Sequence, residues 1–296
     1  MRCFYHADAD GQTSATWVYN YIKKDEYKTV FTSINYTDRF PIDEINIDEI
    51  VYIVDFSIQP NEMTELLDIT KNVTWIDHHK TAIEKYNSFP YEIRGIRHDG
   101  VAGCELTYAY LRHMTYNGVG IISPFELSML NDCPMGTRYI ADYDVWKFEF
   151  EDTMAFKSGY ELIHPDPMSS QMYHLVCLGI ESLLLDTIER GTLIENYKKQ
   201  QNHRTVKNYA YEVYIDGHKG LACNSTVKSS TLFGSKFDEY DFVTVYTWNG
   251  TIYTVSIYSS KIDVSKIAKK YGGGGHRGAS GFTANDQTLR KIGIKI

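Results

Sequence analysis

The 296-residue chain is 43% hydrophobic and 23% charged, with a formal net charge of −8. This composition excludes a disordered polymer, a collagen and a disulfide-stapled miniprotein, and it is sufficient for a substantial core. Beyond roughly 250 residues single cores tend to split, so two domains are expected.

The charge is unevenly divided, with net −13 over residues 1–204 and net +5 from Thr205 onward. That pattern suits an acidic body that collects cations and a basic appendage that attracts an anion. No stretch approaches the ~18 consecutive apolar residues of a membrane span, and the opening MRCFYHADAD places acid and imidazole where a signal peptide carries an apolar core. A soluble, cytoplasmic protein with no membrane partner is the expectation. The five cysteines, Cys3, Cys104, Cys133, Cys177 and Cys223, contain no CxxC pair, so neither a disulfide framework nor a zinc-thiolate site is indicated.

In chain order, β-branched apolar runs at 3–7, 29–36, 49–57 and 73–79 read as buried parallel strands, and residues 13–24 and 61–70 between them have helical spacing. Strands alternating with helices predict βαβ units and a mainly parallel sheet. Helical spacing dominates from Gly103 to about His203. Its last part reads as a long connecting helix despite Gly191. From 211 onward, alternating strands with turn signals, including a hairpin at Trp248-Asn249-Gly250, predict an antiparallel arrangement. The expected organisation is α/β: a catalytic domain at 1–182 with a parallel sheet and a helical segment, a linker helix at 183–207, and a smaller α+β domain at 208–296.

Three of the four predicted strands run into acids and histidines. The first leads to His6, Asp8 and Asp10, the third to Asp55, and the fourth to Asp77, His78 and His79. In an open parallel sheet the ligand site lies beyond the carboxyl ends of the strands, so these groups converge on one rim. Carboxylates packed together repel one another unless cations are bound between them. Oxygen donors mixed with imidazole favour Mn2+, with Mg2+, Co2+, Fe2+ and Zn2+ as alternatives. The donors outnumber the needs of one ion, so two ions sharing a carboxylate are expected, an arrangement suited to in-line attack on phosphorus.

His6-Ala7-Asp8-Ala9-Asp10-Gly11, Asp55 in IVDFS and Asp77-His78-His79 resemble the successive motifs of the DHH phosphoesterase superfamily, and DVSKIAKKYGGGGHRGASGF at 263–282 resembles the glycine-rich signature of the associated DHHA1 domain. The two sets span nearly the whole chain in the family's order. The resemblance implies a DHH catalytic domain followed by a DHHA1 substrate-binding domain. One metal ion would be held by His6, Asp8 and Asp55, and the other by Asp10, Asp55, His78 and a later aspartate. That aspartate is expected to follow a strand, within Tyr139–Trp146; Asp142 is the choice and Asp144 the runner-up. His79 would act on substrate phosphate as a catalytic group, and Asp77 would orient the histidines.

Gly273, Gly274, Gly275, His276 and Arg277 would bind substrate, since glycine backbone can approach a phosphate closely. Arg97 and His98 are candidate phosphate contacts. Tyr258, in VSIYSSK, stands where many relatives carry an arginine, and it is a candidate for stacking on a base.

The length leaves no room for the additional nucleic-acid-binding domains of long-strand relatives, and no basic block beyond the +5 tail is present. The chain resembles the NrnB-like oligoribonucleases, or nanoRNases, and the compact length is in keeping with that resemblance. The expected function is metal-dependent hydrolysis of short RNA, roughly two to five nucleotides and including pGpG, to mononucleotides, with no long duplex bound. A homodimer is the one protein partnership allowed for. The alternatives are a pAp 3′-phosphatase, a phosphodiesterase for linear or cyclic dinucleotides, and a catalytically silent nucleotide-binding protein. An inorganic pyrophosphatase is disfavoured, because HxDxD stands here instead of HxxxDxD.

Overall fold

The structure is a computed structural model in which residues 1–21, 28–117 and 125–295 are described. The end of the predicted helix at 13–24 lies outside these residues, as does part of the helical stretch after Gly103. The chain forms two compact units, Met1–Ile194 and Glu195–Ile296. Among the described residues no helix is long and apolar enough to cross a membrane.

The first unit is built on β1 (Arg2–His6), α1 (Ala9–Tyr21), β2 (Val30–Ile34), β3 (Val51–Val54), α2 (Pro60–Ile69) and β4 (Val73–Ile76). The four strands are all parallel, in the order β2-β1-β3-β4. Side chains alternate across each strand. Cys3, Tyr5, Val54 and Ile76 therefore pack on one face with Ala15 and Val18 of α1. Phe4, Val51, Ile53, Val73 and Trp75 pack on the other with Met63, Leu66 and Leu67 of α2. Both faces are covered, which is why these strands read as continuous apolar runs.

After the short α3 (Lys80–Glu84), the remainder of the unit is helical: α4 (Gly103–Asn117), α5 (Met135–Asp144), α6 (Thr153–Ile163), a single turn α7 (Ser170–Met172), and the beginning of α8 (Glu181–Tyr209). Leu106, Ala109 and Tyr110 of α4 cover the α1 face of the sheet. Ile140, Ala141, Phe156 and Tyr160 form a separate helical core with Met172, Leu175 and Val176. The indole Nε1 of Trp17 donates to Thr137 Oγ1 at 3.1 Å, and Thr137 Oγ1 donates to the Val176 carbonyl at 2.8 Å, fixing α5 beside α1. Gly191 sits inside α8 because a Cβ there would lie 1.6 Å from the Ala155 carbonyl oxygen. The glycine trades helix propensity for close approach to α6.

The second unit is a six-stranded sheet in the order β5-β6-β7-β8-β10-β9, antiparallel except between β6 and β7. Its strands are β5 (Ala210–Ile215), β6 (His218–Asn224), β7 (Phe242–Trp248), β8 (Tyr253–Tyr258), β9 (Gly274–His276) and β10 (Ala279–Ala284). Helices α9 (Val264–Lys270) and α10 (Asp286–Lys291) bury Val264, Ile267, Ala268 and Leu289 against Phe242, Val255 and Ile257. The Trp248-Asn249-Gly250 turn joins β7 to β8, with Asn249 Oδ1 accepting from the Ile252 N–H at 2.9 Å.

A candidate two-metal centre at the strand ends

The sheet order places the carboxyl ends of β1, β3 and β4 side by side, at the point where the chain reverses direction across the sheet and ligands of open α/β folds bind. His6 is the last residue of β1, Asp8 lies in the following loop, and Asp10 is in the first turn of α1. Asp55 follows β3 in a left-handed backbone conformation (φ 51°). Asp77, His78 and His79 follow β4.

These groups meet. His6 Nδ1 lies 2.6 Å from Asp8 Oδ2 and 3.8 Å from Asp55 Oδ2. His78 Nε2 lies 3.1 Å from Asp55 Oδ1, 3.4 Å from Asp144 Oδ2 and 3.6 Å from Asp10 Oδ2. Three groups of donors have their atoms within 4.8 Å of one another: His6, Asp8 and Asp55; Asp10, His78 and Asp144; and Asp55, His78 and His79. Asp55 is buried, yet neither of its oxygens has a hydrogen-bond partner among the described residues. An orphaned buried carboxylate is costly unless a cation satisfies it, so the donor set fits divalent metal.

The electrostatics agree. Burial, followed by the charges of Asp10, Asp8 and Asp144, holds the Asp55 carboxyl well above the usual carboxylate range. Burial and the same Asp10 and Asp8 charges push Asp144 up to about 8. At Asp8 burial acts upward, but hydrogen bonds from His6 and the Gly11 N–H bring the carboxyl below its ordinary value.

Asp77 is buried and committed to holding its neighbours: Ser57 Oγ donates to Oδ2, the His78 N–H donates to Oδ1 at 2.9 Å, and His79 Nδ1 lies 2.8 Å from Oδ1. Burial lowers the affinity of His79 for its proton, but the hydrogen bond with Asp77 and the charge of Asp77 outweigh it and hold the imidazole above its usual value.

Asp142 requires a correction. Residues 139–144 are helix, not the end of a strand, and at 100° per residue positions 142 and 144 point roughly 200° apart. Asp144 faces His78. The Asp142 carboxylate is buried on the other side, accepting from the Glu149 N–H (2.8 Å), the Phe150 N–H (3.3 Å) and Thr153 Oγ1. Arg97 also departs from expectation. Its guanidinium donates to the carbonyls of Trp75 (3.0 Å), Arg94 (3.1 Å) and Ile93 (2.9 Å), so three of its five N–H groups latch the loop after β4. His98 is exposed, with its ring 5.0 Å from Phe125.

In the second unit the half-buried Tyr258 donates its hydroxyl to the Lys228 carbonyl at 2.6 Å and packs against the Leu232 and Val243 core. Gly273, Gly274, Gly275, His276 and Arg277 lie at or beside edge strand β9, with Gly275 at φ 135° and both His276 and Arg277 exposed.

Three residues of the site were missed in the sequence. Gly103 presents its N–H to Asp10 Oδ2 at 2.7 Å, as Cys104 does to Oδ1 at 2.7 Å. Tyr36 stands 5.6 Å from the His6 ring and 5.7 Å from the His79 ring. It is the last residue of the one predicted strand without an acidic end, and its place on the same rim was the available signal.

The chain is similar to several known proteins. The profile of the DHH family, N-terminal domain, matches residues 3–130. The chain is 24% identical over 256 residues to the oligoribonuclease NrnB of Bacillus subtilis, an alignment covering 82% of this chain and 61% of that protein. It thus spans less than two thirds of that relative's length. Among solved structures, the pGpG-specific phosphodiesterase PggH from Vibrio cholerae superimposes with a TM-score of 0.53 at 13% identity, over 99% of this chain and 96% of that one. The exonuclease RecJ bound to manganese superimposes with a TM-score of 0.53 at 12% identity, over 99% and 87%.

Proposed function

We propose that the chain, whose residues 3–130 match the N-terminal domain of the DHH family, is a metal-dependent phosphodiesterase that degrades very short oligoribonucleotides such as pGpG to mononucleotides. The observation that carries this reading is Asp55, a buried carboxylate with two unpartnered oxygens, shared between one donor group with His6 and Asp8 and another with His78. The names of NrnB and PggH support the substrate class.

In this reading His6, Asp8 and Asp55 hold one divalent ion, and Asp10, Asp55, His78 and Asp144 hold the other, with Mn2+ suited to the mixed carboxylate and imidazole set. The chemistry that such a pair supplies is activation of the attacking water and neutralisation of phosphoryl charge. Four carboxylates are then balanced by two divalent cations, so an anionic diester is accepted where the bare cluster would repel it. Asp77 fixes the ring of His79 through Nδ1, leaving Nε2 to donate to a phosphoryl oxygen as charge builds on it. The segment Gly273–Arg277 of the second unit, with His276 and Arg277 exposed, is proposed to bind a nucleotide phosphate through backbone N–H groups and the His276 ring.

The test is turnover of pGpG, five-nucleotide RNA, pAp, c-di-AMP and pyrophosphate with Mn2+ and with EDTA, using the full chain and Asp55→Ala. Metal-dependent release of mononucleotides from pGpG and the short RNA, lost in Asp55→Ala, is expected. Preference for pAp or c-di-AMP would transfer the site to those substrates. No turnover of any of them with Mn2+ bound would sink the enzymatic reading and favour a nucleotide-sequestering protein.

A further inference from the structure

Immediately after Asp144 the chain exposes two large aromatic rings. Trp146 is 66% exposed and Phe148 is 37% exposed. Their centroids are 4.7 Å apart, and Tyr143 contacts both, at 5.5 Å and 6.2 Å. Both residues also hold left-handed backbone, with φ 58° at Trp146 and φ 54° at Phe148. Bulky side chains rarely adopt that conformation, and it persists only where the surroundings enforce it.

The enforcing group is Asp142. Its carbonyl accepts from the Lys147 N–H at 3.0 Å, and its buried carboxylate accepts from the Glu149 and Phe150 N–H groups and from Thr153 Oγ1. A buried acidic side chain is thus devoted to a strained segment whose outcome is an exposed pair of rings. Ordinary core formation would turn such rings inward.

The rings adjoin the metal-binding carboxylates. Tyr143 lines a cavity of about 370 Å³ together with Asp8, Asp10, Asp144, Lys157 and His164, and on its other contacts it meets Trp146 and Phe148. Apolar aromatic surface therefore continues from the carboxylate cluster outward along one segment, and the cavity is of a size that holds a small ligand. Every nucleobase has a π-face, and aromatic rings beside a phosphate site bind bases by stacking without demanding a sequence.

We propose that Trp146 and Phe148 form a stacking platform for a nucleobase of the substrate, held open by Asp142. The proposal rests on the reading of the Asp10, Asp55 and Asp144 cluster as the site that takes the phosphodiester. The platform selects nucleotides over other phosphodiesters, and it gives a purpose to the aspartate that does not bind metal.

Equilibrium titration of the full chain with Ca2+ in place of Mn2+ tests it, using as probes pGpG and a chain of the same sugar–phosphate length bearing abasic sugars. The wild-type protein binds pGpG more tightly than the abasic probe. In Trp146→Ala that affinity ratio falls roughly 5- to 150-fold, the range of one lost base stack, whereas Trp146→Phe retains most of it. Phe148→Ala, measured alongside, lowers the ratio as well and guards against a misfolded Trp146→Ala.

An unchanged ratio in both alanine variants, or equal weakening of both probes, overturns the platform. A protein-docking role for the rings would give that unchanged ratio. Because the titration needs no turnover, failure of hydrolysis with Mn2+ alongside a Trp146-dependent ratio removes the phosphodiesterase reading and leaves the platform. Hydrolysis with no Trp146-dependent ratio does the reverse.

Discussion

The backbone N–H of Gly103 donates to Oδ2 of Asp10 at 2.7 Å, so the first turn of α4 holds a carboxylate from the first turn of α1 across 93 residues of sequence. Together with the Cys104 N–H, this is a charge-assisted pair at a helix N-terminus, where the helix dipole favours an anion. It fixes Asp10 and leaves its remaining lone pairs toward His78.

No side chain fits at 103. A Cβ there would lie 2.7 Å from Asp55 Cβ and 2.9 Å from Asp55 Oδ1. Gly103→Ala is expected to displace Asp55 and weaken Mn2+ binding by at least about tenfold, with an overpacking cost of roughly 1–3 kcal/mol. Titration calorimetry with Mn2+ on the folded variant checks this, and wild-type affinity would show that the close packing does not matter to the site.

Asp55→Asn separates stability from metal binding. Asp55 is buried with no hydrogen-bond partner among the described residues, so replacing the carboxylate with a neutral amide should stabilise the EDTA-treated protein by about 1–3 kcal/mol. That corresponds to a rise in Tm of roughly 2–4 °C per kcal/mol for a unit of this size. Wild type gains about 2.7 kcal/mol from Mn2+ at a hundredfold excess over Kd, and the variant should lose that gain. Scanning calorimetry with and without Mn2+ reads both effects; a variant less stable than wild type in EDTA would contradict the account.

The pH dependence of the metal-free protein has a defined sign. Asp55 and Asp144 are both raised, Asp144 to about 8, by burial and by neighbouring carboxylates. The folded state then binds more protons than the unfolded chain from about pH 4 to about pH 8. Stability is therefore greatest below the unfolded value and is lost as pH rises through that window. His79, also raised, acts in the same direction. Metal replaces the protons, so Mn2+ should abolish or reverse the slope. Urea unfolding at pH 5 and pH 8 in EDTA tests this, and greater stability at pH 8 would be the wrong sign.

Much of the site was legible because it follows from sheet geometry. His6, Asp8, Asp10, Asp55 and His78 come from three strand ends, and a parallel sheet brings those ends to one rim whatever the intervening loops do. What was hidden depends on contacts that local pattern does not encode. Arg97 reads as a free cation, yet its acceptors are carbonyls of Trp75, Ile93 and Arg94 that only the folded loop brings together. Tyr258 sits in a strand as expected, but the Lys228 carbonyl that takes its hydroxyl comes from a different segment.

The two aspartates of α5 show why secondary structure decides chemistry. In a strand, positions 142 and 144 would share a face and either could reach the metals. In the helix they diverge, and each has a separable role. Asp144→Asn is expected to weaken Mn2+ binding at least tenfold while leaving the metal-free protein as stable as wild type or more so, since it removes a group whose ionisation is opposed by burial and by Asp10 and Asp8. Asp142→Asn is expected to destabilise the first unit by roughly 1–3 kcal/mol, because an amide has one acceptor oxygen where the carboxylate receives three donors across two. Its Mn2+ affinity, measured under folding conditions, should fall far less than that of Asp144→Asn. Urea denaturation paired with Mn2+ titration of the two variants distinguishes the roles, and the opposite pattern would return Asp142 to the metal centre and remove Asp144 from it.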